Sequence, residues 1–219
     1  MDRVERARRH AALGDGRRLF IVDQLAGGDL AVADLADVVG LRGNLLAHHL
    51  DVLEDAGLIE RRQSEGDQRR RYVSLRWEEL PVPVSPPMSL VGRVAFVCTH
   101  NSARSQFAAA LWQQLTGTPT SSAGREPAAR VHPKAIRVAS EFDVDISRAK
   151  PSAYESLPAD LDVLISVCDR AYEGDLPDAR QRLHWSIPDP IRVGTLGAFR
   201  SAFGDLARRI GHVAREFAG

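Results

Sequence analysis

The chain has 219 residues, of which 44% are hydrophobic and 26% are charged. This composition is ordinary for a globular protein and too apolar for a disordered one, and the length suits two modest domains. The formal net charge is zero, so no overall field attracts the protein to nucleic acid or to a membrane. Any basic surface must therefore be local.

The charged N-terminus and the absence of a long apolar run argue against a membrane segment. No uninterrupted apolar stretch reaches the length of about 18 residues that a membrane span needs, so we expect a cytoplasmic protein. The two cysteines, Cys98 and Cys168, are too few for a disulfide scaffold, and each is expected to be either reactive or buried. We predict no metal site and no bound cofactor.

The first predicted elements are three short helices, because apolar residues recur at helical spacing in three successive segments. The recurring residues are Leu19, Val22 and Leu25, then Val32, Leu35 and Val39, then Leu46, Leu50 and Leu53. Gly57 ends the third helix, and residues 58–63 and 69–75 indicate two strands around a turn. Helices followed by such a hairpin describe a winged helix-turn-helix domain, mostly α with a β wing, which we place at residues 1–80.

A proline-rich segment separates this domain from the rest of the chain. Four prolines within residues 80–92 forbid a helix and favour an extended connector, so we take residues 81–92 as a linker. Strands and helices alternate in the second domain, residues 93–219, which predicts a three-layer α/β fold with a parallel sheet. The predicted strands are residues 93–98, 120–124 and 162–168, and the predicted helices are residues 105–117, 133–142 and 195–217.

Cys98 stands at the end of the first of these strands, where open α/β sheets place their sites. Five residues separate it from Arg104, and a helix begins immediately afterwards. The N–H groups of such a loop and the N-terminus of the helix converge on a tetrahedral oxyanion, and the guanidinium of Arg104 can grip two of its oxygens. The same field favours the thiolate form of Cys98, which is the form that attacks.

With these residues, the chain from about residue 92 to 217 resembles the low-molecular-weight protein tyrosine phosphatases and the arsenate reductases that share their fold. The resemblance implies a four-stranded parallel sheet, with Cys98 as the nucleophile, Arg104 as the oxyanion binder and Ser105 as the hydroxyl that steadies the thiolate. Asn101 would hold the unusual backbone of the loop. The other residues of this oxyanion loop are Thr99, His100, Ser102 and Ala103.

Asp189 precedes Pro190, and an Asp-Pro pair taken alone more often marks a turn than a site. In the family that the chain resembles, this aspartate is the general acid that protonates the leaving group. Next to a loop that contains both Cys98 and Arg104, the resemblance therefore makes Asp189 the fourth catalytic residue.

The choice between the two activities depends on residues outside the loop. Tyrosine phosphatases of this fold usually set aromatic residues just after the Asp-Pro pair, whereas Ile191 and Arg192 follow it here, so we favour an arsenate reductase. The thioredoxin-coupled arsenate reductases that the chain resembles use two further cysteines in a disulfide cascade. Cys168 matches the first of them, but residues 169–177 contain no second, so a reductase here would need an external thiol such as mycothiol or glutathione. A phosphotyrosine phosphatase and an oxyanion sensor without turnover are the alternatives.

Residues 11–75 resemble the ArsR-type winged-helix repressors, through segments such as Ala12-Leu13-Gly14-Asp15, His48-His49-Leu50 and Ala56-Gly57-Leu58. The resemblance implies a homodimer on a double-stranded DNA operator, with the helix near residues 42–55 in the major groove. The expected DNA contacts are Arg42, Asn44, His48, His49, Arg61, Arg62, Arg69, Arg70 and Arg71. The alternative is that the arginines form only a solvated face, or that the domain merely dimerises.

Arsenite-sensing members of that family often carry a Cys-x-Cys motif in the second of these helices, where this chain has Ala31 and Ala33. The metalloid site of those repressors is therefore not expected. If the first domain responds to a ligand, we hypothesise that the signal comes from an oxyanion bound to the second domain.

Overall fold

The computed structural model describes residues 2–84 and 92–217. They form two compact units, one from the first 84 residues apart from 65–67 and one from residue 92 onward. The linker predicted at residues 81–92 falls mainly on residues 85–91, which lie outside the described residues.

Helices make up most of the first unit. Its elements up to the wing are α1 (Arg3–Leu13), α2 (Gly16–Leu25), β1 (Leu30–Ala31), α3 (Val32–Val39) and α4 (Gly43–Asp55). The last three helices are the predicted ones. The sequence did not indicate α1, because its largely charged turns bury only Arg9, Ala12 and Leu13 and so show little apolar periodicity.

Two antiparallel strands, β2 (Ile59–Gln63) and β3 (Arg71–Leu75), form the wing. The short strand β1 pairs with the other edge of β3, which gives the order β1-β3-β2. Leu35, Leu50 and Leu53 of the helices are almost fully buried in one core with Val73 of the wing. Helices followed by a wing confirm the predicted winged helix-turn-helix.

The second unit contains a four-stranded parallel sheet in the order β5-β4-β6-β7. Its elements are β4 (Val94–Cys98), α5 (Arg104–Thr116), β5 (Ser121–Gly124), α6 (Pro133–Ser140), β6 (Val163–Ser166), α7 (Asp169–Tyr172), β7 (Gln181–His184), α8 (Pro190–Val193) and α9 (Leu196–Phe217). This arrangement confirms the predicted α/β class. The segment that forms β7 has no strand-like apolar pattern, and only the resemblance implied a fourth strand.

Alternate residues of β4 pack on the two faces of the sheet. Ala95 and Val97 join one apolar cluster, while the ring of Phe96 lies 5.9 Å from that of Trp112 and 6.0 Å from that of Trp185. Because the strands are parallel, the chain leaves all four of them at the same edge of the sheet, and Cys98 stands at that edge. Among the helices of residues 2–84 and 92–217, none has both the length and the apolar character needed to cross a membrane.

Candidate functional site

The loop from Cys98 to Arg104 connects the end of β4 to the start of α5. The thiol of Cys98 is buried, with its Sγ 3.0 Å from Oγ of Ser105 and 3.2 Å from the backbone nitrogen of Asn101, which donates to it. A hydroxyl and an N–H group directed at one sulfur stabilise a negative charge there. The local geometry therefore suits a thiolate at Cys98.

Asn101 holds the loop in shape. Its φ of 47° lies in the left-handed region, which asparagine tolerates better than most residues, and its side chain is fully buried. Nδ2 donates to the hydroxyls of Ser105 at 2.8 Å and Ser122 at 3.0 Å. Oδ1 accepts from Nε2 of Gln106 at 3.0 Å and from the backbone of Ser152 at 2.9 Å. These four bonds keep a strained backbone in place.

A neighbouring segment orients the carbonyl groups of the loop. The carbonyls of Thr99, His100 and Ser102 accept hydrogen bonds of 2.8 to 3.0 Å from backbone N–H groups of residues 126–132. Gly124 allows this close approach, because a Cβ there would lie 2.8 Å from the loop's backbone. These carbonyl oxygens are thereby turned toward the segment and not toward an anion above the sulfur.

Arg104 and Asp189 meet at the same end of the sheet. The guanidinium of Arg104 donates from Nη1 to the carbonyl of Ile187 at 2.8 Å, and its Nη2 lies 3.3 Å from Oδ2 of Asp189. Burial alone would disfavour the charged guanidinium, but Cys168, Asp189 and Cys98 raise the pKa of Arg104 above its ordinary value. The site therefore holds a permanent cation beside the thiol.

A small open pocket above the loop contains three of the four predicted catalytic residues. Its lining consists of Cys98, His100, Ser102, Ala103, Arg104, Asp189 and Ile191. Asp189 caps α8, because its Oδ1 accepts from the backbone of Ile191 at 3.1 Å. Ile191, at the rim, is 36% exposed and offers an aliphatic side chain where an aromatic wall would stand.

Cys168, the other cysteine, lies under the loop. Its Sγ is 3.3 Å from Oγ1 of Thr99, and burial raises the pKa of the thiol. Its burial and raised pKa favour the neutral thiol over the thiolate. No group of three or more His, Cys, Asp or Glu side chains in the part of the chain that the structure describes could hold a metal ion.

His132 supports the loop and was not predicted from the sequence. Its backbone N–H donates to the carbonyl of Ser102 at 2.9 Å, and its Nδ1 accepts from the backbone of Lys134 at 3.2 Å, which caps α6. The ring stacks on Phe199 of α9 with centroids 4.8 Å apart. A His-Pro pair before a helical segment was the available signal, because proline favours the first turn of a helix.

In the first unit, some of the predicted DNA contacts are exposed and one of them is buried. Arg42, the residue before α4, and Asn44 and His48 within it are exposed. His49 is only 5% exposed, with its Nδ1 3.9 Å from Oδ1 of Asp15, and burial lowers its pKa. A side chain packed inside the unit cannot reach a base, so the expectation for His49 does not fit the structure.

The predicted arginines of the wing differ in their partners. Arg61 lies 2.7 Å from Asp51 and also pairs with Glu54, while Arg62 lies 3.7 Å from Glu60. Arg69, Arg70 and Arg71 are exposed. Together with Arg42 and Arg61, these three line an open groove of about 610 Å³ between α3, α4 and the wing.

Comparison with known proteins identifies relatives of both units. Residues 93–218 match the model of the low molecular weight phosphotyrosine protein phosphatases, and residues 15–61 match that of the bacterial regulatory proteins of the arsR family. The arsenate reductase of Halalkalibacterium halodurans is 30% identical over 53% of this chain and 91% of its own length. The glutaredoxin arsenate reductase of Synechocystis is 33% identical over 54% of this chain and 92% of its own length. A solved structure of an arsenate reductase in its phosphate binding state is 32% identical, with a TM-score of 0.51, and the match covers 57% of this chain and 98% of that one.

Replacing Gly124 should disturb the loop without unfolding the unit. We expect Gly124→Ala to weaken phosphate binding about tenfold or more, because the added Cβ would meet backbone atoms at 2.8 Å. Isothermal titration with phosphate measures the change. Gly211→Ala in α9 is the matched control, since its Cβ would meet no atom within 4 Å. Equal phosphate affinity in the two variants would contradict the role of Gly124.

The stability of the second unit should depend on the charge of His132. Burial, then the cations Lys134 and Arg130, hold the pKa of His132 below its ordinary value in the folded chain. As the pH falls, the unfolded chain therefore takes up the proton first, so the contribution is complete above about pH 6.5 and is lost below it.

His132→Asn keeps a side-chain oxygen to cap α6 but cannot titrate in this range. We expect the melting temperature of the second unit to fall further in the wild type than in the variant between about pH 7 and about pH 5. Scanning calorimetry of the full chain checks this. Parallel pH curves for the two proteins would show that His132 does not titrate with unfolding.

Proposed function

Because the chain belongs to the low molecular weight phosphotyrosine protein phosphatase family, we propose that its second unit reduces arsenate with an external thiol and that its first unit binds DNA. The observation that supports the reductase is the position of the Cys98 sulfur, which hydrogen bonds with Ser105 and Asn101 hold beside the buried Arg104. A nucleophile that lies next to a fixed cation suits attack on a bound tetrahedral oxyanion.

In the first step, the thiolate of Cys98 attacks the arsenic of arsenate. A sulfur–arsenic bond forms and an arsenic–oxygen bond breaks, and the departing oxygen takes a proton from Asp189 and leaves as water. Arg104 binds two of the remaining oxygens and stabilises the charge that develops on them. Arsenic is still pentavalent at this stage, so no electrons have been transferred.

The second step needs a reductant from solution. A thiolate attacks the sulfur of Cys98, and the electron pair of the sulfur–arsenic bond stays on arsenic, which leaves as arsenite. A second thiol then attacks the mixed disulfide and restores Cys98, so two thiols yield one disulfide. Cys168 is buried with a raised pKa, which favours this external route over attack by Cys168. Mycothiol or glutathione would serve as the thiol.

A phosphotyrosine phosphatase is the second candidate, since the matching family model describes that activity. The thiolate of Cys98 would attack phosphorus, and tyrosine would leave with a proton from Asp189. Water would then hydrolyse the sulfur–phosphorus bond and release phosphate. The aliphatic Ile191 at the rim and the arsenate reductases among the relatives favour the reductase.

For the first unit, we propose binding to double-stranded DNA as a homodimer. Asn44 and His48 of α4, with Arg42 just before the helix, would face the major groove. Arg69, Arg70 and Arg71 of the wing would contact the DNA backbone. Arg61 and Arg62 are engaged by carboxylates and would contribute less, and the buried His49 is left out. DNA and small thiols are both cytoplasmic partners in bacteria, so a cytoplasmic location belongs to the same proposal.

Cys98→Ser should abolish arsenite formation from arsenate and thiol, because a serine hydroxyl is not an effective nucleophile at neutral pH. Arsenite is measured with mycothiol and with glutathione, and phenyl phosphate is tested in parallel. Cys168→Ser is the control and should retain activity. Release of phosphate without arsenite would establish the phosphatase, turnover of neither substrate would favour an oxyanion sensor, and loss of arsenite formation in Cys168→Ser would contradict the external route.

Binding of DNA should depend on salt through the arginines of the wing. We expect Arg71→Ala to weaken binding to double-stranded DNA of any sequence and to reduce the slope of log affinity against log salt by about 1. Arg8→Ala, which removes an exposed arginine of α1 outside the groove, should leave the slope unchanged. Fluorescence anisotropy gives both slopes. An affinity that does not change with salt concentration, or no DNA binding at all, would contradict this proposal and favour a dimerisation module.

A further inference from the structure

Two buried titratable side chains lie at the same edge of the sheet as the candidate site. His184, the last residue of β7, is 2% exposed, and Asp169, the first residue of α7, is 3% exposed. Nε2 of His184 lies 3.1 Å from Oδ1 of Asp169, and its Nδ1 lies 3.3 Å from the carbonyl oxygen of Ser166. The imidazole therefore bridges the carboxyl ends of β6 and β7.

The groups around the ring determine its charge. The carbonyl of Ser166 can only accept, so Nδ1 carries a proton, and a carboxylate at Asp169 needs a second proton on Nε2. Burial on its own would favour the neutral acid, but the hydrogen bond to His184 lowers the pKa of Asp169. The ring of Tyr172 stacks on His184, with centroids 4.2 Å apart and planes at 8°, which suits a cation. These contacts fit an imidazolium beside a carboxylate.

The chain leads from His184 directly into the site. Three residues later, the carbonyl of Ile187 accepts from Nη1 of Arg104 at 2.8 Å, and the carboxylate of Asp189 lies 3.3 Å from Nη2. The contacts of His184 therefore fix the first residue of the segment that leads to Ile187 and Asp189, and this segment orients the guanidinium of Arg104.

We propose that Asp169 and His184 form a positioning pair, whose buried opposite charges fix residues 185–189 and thereby orient Arg104 and Asp189 toward the oxyanion. The inference rests on the proposed function for the roles of those last two residues. A buried ion pair holds one geometry, because moving either partner leaves an unpaired charge. Displacing catalytic groups by about 1 Å can cost a factor of about 100 in rate, so the precision of this segment matters.

Asp169→Asn removes the charge and keeps the size of the side chain. We expect kcat for arsenate with thiol to fall about tenfold or more, since the general acid is displaced. The Kd for phosphate should rise by a smaller factor than kcat falls, because the N–H groups of the loop still bind the anion when Arg104 is less well oriented. Asp178→Asn is the matched control, since it removes a surface carboxylate that accepts from Arg182 at 2.7 Å, and both constants should be unchanged.

Nitrogen-15 NMR of the full chain tests the pair without turnover. Both ring nitrogens of His184 should carry protons in the wild type and only one in Asp169→Asn, and the amide signals of Ile187 and Asp189 should shift in this variant but not in Asp178→Asn. If Asp169→Asn does not fold, His184→Gln takes its place in the kinetics and the amide comparison, because it keeps a donor to Asp169 without the charge.

A neutral ring in the wild type, unshifted amides, or kcat within about twofold of the wild type would overturn the proposal. A wild type that turns over neither arsenate nor phenyl phosphate would refute the proposed function instead. The ring protons and the amide shifts would then decide on the pair by themselves.

Discussion

The left-handed backbone at Asn101 is the constraint on which the site depends. An L-residue enters this region at some cost, and the loop remains there because the side-chain amide of Asn101 makes four hydrogen bonds, with residues of α5 and β5 and with the backbone of Ser152. The same conformation points the backbone nitrogen of Asn101 at the sulfur of Cys98. The shape of the loop and its interaction with the thiol therefore have a single origin.

Parallel strands convert this local arrangement into a complete site. Cys98 ends β4, Cys168 follows β6, and the segment with Asp189 follows β7, so three distant parts of the chain meet at one edge of the sheet. Charge balance determines what can be buried there. A guanidinium as enclosed as that of Arg104 needs a nearby anion, and the carboxylate of Asp189 at 3.3 Å fills this need.

Patterns of neighbouring residues in the sequence predicted those features that depend on local structure. The spacing of Cys98 and Arg104 between a strand and a helix predicted the oxyanion loop, and apolar periodicity predicted α2 to α4. The contacts of His132 with Ser102 and Phe199, and those of His184 with Asp169, join distant parts of the chain, so no local spacing predicts them. His49 shows the opposite case, because a histidine in the predicted recognition helix resembles a DNA contact until its packing inside the unit is known.

The way in which the loop would recognise its anion has a consequence for competition between arsenate and phosphate in the cell. Backbone N–H groups and a guanidinium sense charge and tetrahedral shape, which arsenate and phosphate share almost completely. Under the proposed function, discrimination has to come after binding, at the transfer of electrons that a thiol can make to arsenic and not to phosphorus. Phosphate would therefore compete with arsenate for the loop. Detoxification by such an enzyme would depend on phosphate supply as much as on the amount of protein.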